Sequence, residues 1–168
     1  PLYVEHGKDY YAGIIFNHVP DRKIMMGWVN NWTYANQIPT GTWRGAFSIP
    51  RELSLVETPE GLRLSQQPIA ELAILRGNSI SELNSRNSNS FELELEITEG
   101  SGVHFFMTDT ERTTLGYHNG RLYLDRTQSG QIDFQKDFAS EESVQIASTP
   151  PAIKVRVIVD ESIIEVIT

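Results

Sequence analysis

The sequence predicts an all-β protein whose larger part is an antiparallel β-sandwich, and three observations carry that expectation. Residues 91–97 alternate strictly, with Phe91, Leu93, Leu95 and Ile97 on one side and Glu92, Glu94 and Glu96 on the other, the pattern of a half-buried strand with one solvated face. Residues 153–159 repeat it, with Ile153, Val155, Val157 and Val159 set against Lys154, Arg156 and Ile158. Between these runs Asn119-Gly120 joins two apolar segments, and that pair favours a two-residue hairpin because both positions need positive φ. Short strands with polar turns at this spacing, and no long helical period, indicate a sandwich.

Taken in order, residues 1–12 read as a loop ending in Tyr10-Tyr11. Strands are expected at 13–17 and 23–29, separated by the turn residues Val19-Pro20-Asp21. Pro39 and Gly41 mark 36–43 as a loop, 46–49 and 53–57 look extended, and Thr58-Pro59-Glu60-Gly61 is a turn before a strand at 62–66. Residues 68–75 fit one short helix by the spacing of Ile69, Leu72 and Ala73. Gly, Asn and Ser crowd residues 77–90, which marks a linker. Beyond it, strands are expected at 91–97, 103–108, 114–118, 121–125, 153–159 and 163–167. The expected domains are thus 1–76, a linker at 77–90, and a sandwich at 91–168.

Of the 168 residues 39% are hydrophobic, enough for a core, and the length suits one domain or one domain with a piece of another. The net charge of −8 resides in the second part: residues 1–90 balance, whereas 91–168 hold 14 acidic and 6 basic side chains. A phosphate-binding surface needs the opposite sign, so no nucleic-acid partner is expected. No run of about 18 apolar residues is present, so no membrane-spanning helix is expected either. Residues 1–15 show no leader pattern, which leaves localisation open for a chain that reads as a piece of a longer one. The absence of cysteine excludes disulfides and thiolate chemistry.

The three tryptophans, Trp28, Trp32 and Trp43, all lie in residues 27–53, with Tyr34 and Phe47 among them. Asn30, Asn31, Thr33, Asn36, Gln37, Thr40 and Thr42 are interleaved. Flat apolar rings beside uncharged hydrogen-bonding groups suit a sugar, which has a C–H face and a rim of hydroxyls. The alternative reading is that these rings fill a β core.

The order Gly27-Trp28, Asn31-Trp32, Tyr34-Ala35, Pro39-Thr40, Trp43-Arg44-Gly45 and Ile49-Pro50-Arg51-Glu52-Leu53 resembles glycoside hydrolase family 32, in particular its bacterial levanase branch. Gly7-Lys8-Asp9-Tyr10-Tyr11-Ala12 matches upstream. Leu115-Gly116-Tyr117, Leu124-Asp125-Arg126 and Val159-Asp160-Glu161-Ser162 with Glu165-Val166 resemble the family's C-terminal domain. The resemblance covers nearly the whole chain. It implies that residues 1 to about 70 are the last blade of a five-bladed β-propeller, that a partial C-terminal β-sandwich follows, and that the earlier propeller segments of the same protein are a partner of this piece.

The family's retaining mechanism uses a nucleophile aspartate, an acid/base glutamate and a stabilising aspartate, and the resemblance places all three upstream of Pro1. No Asn-Asp-Pro-Asn, Arg-Asp-Pro or Glu-Cys occurs in the sequence. No catalytic residue is therefore expected in this chain, which by itself should release no fructose. The implied substrate is a fructose-containing oligo- or polysaccharide (levan, inulin or sucrose), and the expected substrate-binding residues are Asp9, Asn31, Trp32, Glu5 and Lys8. The resemblance puts the loop of Glu5, Lys8 and Asp9 at the pocket mouth; bacterial members often carry Asp-Tyr-Gly where this chain has Glu5-His6-Gly7, which moves the carboxylate outward by one methylene. Arg44 and Arg51 are expected to hold carboxylates within the fold, and Trp43 to pack. His6, His18, His104 and His118 lack metal-ligand spacing, so no metal is expected. Gly100-Ser101-Gly102 has no strand–helix context for a phosphate, no Gly-x-Ser-x-Gly is present, and no cofactor is expected. A non-catalytic fructan-binding module and a purely structural brace are the competing readings; a free module would not need a blade before its sandwich.

Overall fold

The computed structural model describes residues 3–79 and 88–168. Among the described residues twelve strands make three antiparallel sheets. The first sheet contains β1 (Tyr11–Ile15), β2 (Ile24–Val29), β3 (Ala46–Phe47), β4 (Arg51–Thr58) and β5 (Gly61–Pro68), ordered β1-β2-β4-β5 with β3 also paired to β2. Within residues 68–75, whose spacing allows one short helix without deciding it, Pro68 ends β5 and Ala70–Leu75 form a six-residue 3-10 helix. The expected linker at 77–90 lies largely outside the described residues.

The sandwich follows. One sheet has the order β12-β11-β6, from β6 (Ser90–Thr98), β11 (Ala152–Asp160) and β12 (Ile163–Ile167). The other has the order β10-β9-β8-β7, from β7 (Ser101–Phe105), β8 (Arg112–His118), β9 (Arg121–Gln128) and β10 (Glu141–Gln145). β6 and β11 pair over their full length, Phe91 opposite Val159 and Ile97 opposite Ile153, so the two alternating runs turn their apolar sets to the same side. There they meet Phe105, Leu115, Tyr117 and Leu122 in one core. The four-stranded sheet buries Ile97, Ile153, Val155, Val157 and Val159 of this face, while Phe91, Leu93 and Leu95 stay partly exposed at its margin.

Other differences have local causes. The first strand begins two residues early and contains a bulge: Tyr11 pairs with Trp28 but Ile14 with Met26, so Ala12 and Gly13 oppose Gly27 alone, and Ala12 adopts φ 50°. The strand expected at 103–108 ends at Phe105 because Phe106 has φ 51° and turns the chain away. β10 carries Glu141, Glu142, Ser143, Val144 and Gln145, with too few apolar residues for the alternation to declare itself. Asn119 and Gly120 both have positive φ, as the hairpin requires.

Candidate functional site

The loop of residues 5–10 lies between the first sheet and the sandwich, and its charged side chains are fixed from both. Asp9 accepts a hydrogen bond from the Tyr34 hydroxyl on one oxygen and from Arg126 Nη1 on the other. Arg126 also donates from Nη2 to the Tyr34 hydroxyl (2.7 Å) and from Nε to the Phe138 carbonyl (2.7 Å), and its guanidinium lies 4.2 Å from the centroid of the Phe138 ring. All three nitrogens of this guanidinium thus donate, and its side chain is only 18% exposed. Burial, joined by the Asp9 carboxylate, pushes the Tyr34 hydroxyl well above its ordinary range, so the phenol stays protonated and donating.

Lys8 reaches the sandwich too, donating to the Asp137 carbonyl (3.0 Å) and standing 3.4 Å from a Glu142 oxygen. Its own carbonyl accepts from Asn31 Nδ2 (2.9 Å). Asn31 orders the next turn as well: its side-chain oxygen accepts from the Thr33 amide (2.9 Å) and its carbonyl from the Ala35 amide (2.8 Å). That turn presents Trp32, which is 66% exposed, with its ring 5.0 Å from Trp28 and 6.2 Å from Tyr11 between centroids. Glu5 faces elsewhere. It receives Arg51 Nη1 at 2.7 Å, while Arg51 Nη2 donates to Glu165 of β12 at 2.6 Å.

Of the five residues expected to bind substrate, the structure therefore gathers Lys8, Asp9, Asn31 and Trp32 around one turn and sets Glu5 apart at the Arg51 junction. Arg51 holds two carboxylates as expected. Arg44 does not: its Nη1 donates to the Thr40 carbonyl (2.6 Å) and the Trp43 carbonyl (3.1 Å), closing its own loop. Trp43, expected to pack, is half exposed beside it. Glu92 is not simply solvated, because Arg76 (2.7 Å) and Arg156 both donate to it. Among the described residues, no three His, Asp or Glu side chains converge as metal ligands.

Tyr11, Tyr34 and Arg126 are the supporting residues that sequence reasoning did not single out as such. Arg126 was discoverable: it follows Leu122 and Leu124 at the same alternate spacing, a charge where the pattern calls for an inward apolar residue.

An all-β chain in which one antiparallel sheet is followed by a two-sheet sandwich fits the propeller-plus-sandwich glycosidases. The chain belongs to glycosyl hydrolase family 32: the family's C-terminal model matches residues 59–167 and its N-terminal domain model residues 2–68. It is 36% identical to a levanase of Bacillus sp. (strain L7), over 98% of this chain and 20% of that protein. To the levanase of Bacillus subtilis (strain 168) it is 32% identical, over 98% of this chain and 28% of that protein. The crystal structure of exo-inulinase from Aspergillus awamori superposes with a TM-score of 0.81 at 28% identity, over 96% of this chain and 36% of that one. The chain thus spans about a fifth to a third of the length of these relatives.

Proposed function

We propose that this chain is part of a glycoside hydrolase that cleaves β-fructofuranosidic bonds in levan, inulin or sucrose with retention of configuration. In that enzyme residues 1–76 act as a propeller blade supplying one wall of the pocket, 77–90 as the connection, and 91–168 as the accessory sandwich. The carboxylates that attack and protonate the glycosidic bond belong to other segments of the protein. The names of the relatives, levanases and an exo-inulinase, support a fructan substrate. The observation that carries the reading for this chain is Trp32: a large ring left exposed on a rigid turn, backed by Trp28 and Tyr11, with Asn31, Lys8 and Asp9 alongside. An apolar plate beside fixed polar groups suits the C–H face and hydroxyls of a fructosyl unit. Asp9, Asn31, Trp32 and Lys8 are the proposed binding residues, and Glu5 is held apart from them by Arg51.

The test is Trp32→Ala in the full-length protein that carries this chain, assayed for fructose release from sucrose, inulin and levan. We expect kcat/KM to fall about tenfold or more, which is a loss of about 1.4 kcal/mol in transition-state binding. Unchanged turnover on all three substrates would remove Trp32 from the site.

A further inference from the structure

We infer that Arg126, a sandwich residue, is a positioning residue of the fructoside-binding site, acting through Asp9 and Tyr34. The inference rests on the proposed function of that site. It begins with two bulges. In β9, Asp125 pairs with Thr114 and Gln128 with Arg112, so Arg126 and Thr127 oppose Thr113 alone. A bulge re-aims the side chain it carries. Leu122 and Leu124 belong to the sandwich core and its margin, but Arg126, next in the same alternation, leaves the core and reaches the loop of residues 5–10. In β1 the bulge at Ala12-Gly13 lies directly after Tyr11, whose ring stands edge-on to both Trp28 and Trp32. Each half of the molecule thus breaks its ladder where it faces the site.

Between the bulges runs a continuous set of contacts. Arg126 holds Asp9 and the Tyr34 hydroxyl at once, and Tyr34 bonds Asp9, so three groups close a triangle whose members come from β9, the loop and the Trp32 turn. Tyr34 ends the turn that Asn31 begins, and its amide bonds the Asn31 carbonyl (3.1 Å), so a shift of Tyr34 is a shift of Trp32. Its ring also packs edge-on against Phe138 at 5.4 Å, and Phe138 is the residue whose carbonyl receives Arg126 Nε. Lysine cannot reproduce this, because one ammonium cannot span Asp9, Tyr34 and the Phe138 carbonyl with the fixed fork of a guanidinium. The sandwich therefore sets the geometry of the binding turn in addition to bracing the blade.

The experiment uses the full-length protein with Arg126→Gln, Arg126→Lys and Tyr34→Phe, and Arg76→Gln as a control for loss of an ion pair remote from the loop. Kinetics on sucrose are measured well below each melting temperature, with circular dichroism of the coupled Trp28–Trp32 pair recorded alongside. We expect Arg126→Gln to lower kcat/KM about tenfold or more and to alter the tryptophan couplet, since small misplacements of binding groups have effects of this size. Arg126→Lys should recover part of both, and Arg76→Gln should change neither. Tyr34→Phe keeps the ring and loses only the hydroxyl, so it should act in the same direction even if Arg126→Gln does not fold. Variants at Arg126 and Tyr34 that retain parental kcat/KM and couplet would overturn the inference, as would losses matched by Arg76→Gln. A parent protein that releases no fructose would instead defeat the functional reading, while the couplet would still report whether Arg126 sets the turn.

Discussion

Gly27 and Gly45 owe their places to the rings beside them. A Cβ on Gly27 would lie 2.3 Å from the Tyr10 ring, and one on Gly45 would lie 2.1 Å from the Trp28 indole nitrogen, at a φ of +69° that disfavours any other residue. Tyr10 and Trp28 flank the loop and the turn of the binding site, so these two glycines let the aromatic layer close onto the backbone. Gly27→Ala is expected to lower stability by about 1–3 kcal/mol, the usual range for overpacking. Urea denaturation checks this through a lower midpoint at unchanged slope; an unchanged midpoint would show that Tyr10 can move aside. At this scale the sequence displayed the residue types but not their partners. The cluster of tryptophans and amides was legible, and so was Arg51 as a holder of carboxylates. Arg44 and Trp43 were not, because whether a side chain turns inward or closes its own loop depends on backbone direction, which composition does not carry.

The elements meet at a joint between β4 and β12. Arg51 Nη2 and the Ile49 amide both bond Glu165, a carboxylate only 8% exposed on the outer face of the sandwich. Burial raises the Glu165 carboxyl above its ordinary value of 4.5, with the Arg51 bond opposing that rise. A raised folded value means that this group's contribution to stability is full below the unfolded value and is lost as pH rises through the folded one. Glu92 runs the other way: the Arg76 bond lowers it, so its contribution is full above 4.5 and is lost on acidification. Glu165→Gln keeps an acceptor for Ile49 and does not titrate. Its stability deficit relative to the parent should therefore be largest near pH ~4 and shrink toward pH ~7, whereas that of Glu92→Gln should grow over the same interval. Thermal melts across that range decide it, and a Glu165→Gln deficit that widens with pH would mean that attraction to Arg51 outweighs burial. Most strands were legible from alternation, including the pairing partners β6 and β11. The bulges at Ala12 and Arg126 were not: a one-residue insertion leaves the residues on either side unchanged and alters only the register, which the partner strand fixes. The site hangs on those two irregularities, so its outline could be read from sequence while its wiring could not.

Across this chain burial is uneven, and that unevenness sets where the chain by itself opens first. The sandwich closes around Leu115, Tyr117, Val157 and Val159, each almost fully buried between two sheets. The first sheet has no equivalent. Ile14, Phe47, Leu55 and Leu62 are all more than half exposed, and Leu55 faces Leu64 across the β4–β5 hairpin on a surface open to solvent. Buried apolar area stabilises by roughly 25 cal/mol per Å², so the hairpin resists opening mainly through its own ladder, its short pairing to β2, the ion pairs of Arg22 with Glu52 and of Arg51 with Glu5 and Glu165, and the bond from Gln66 to the Val4 carbonyl. Local opening follows such differences. Hydrogen exchange on this chain is therefore expected to be slowest in β8 and β11 and fastest, among the strands, in the outer half of β4–β5 around Leu55–Leu64. β2 should lie between them, because Ile24 and Met25 are buried and Tyr34 ties the following turn to the sandwich through Arg126. Arg126→Gln should then speed exchange in the Asn31–Tyr34 turn while leaving β11 unchanged, which separates the tie from the core. Protection of equal strength in β4–β5 and β11 would show that the first sheet draws stability from a surface other than those described, and exchange that accelerates in both regions on Arg126→Gln would show that the two halves unfold as one unit.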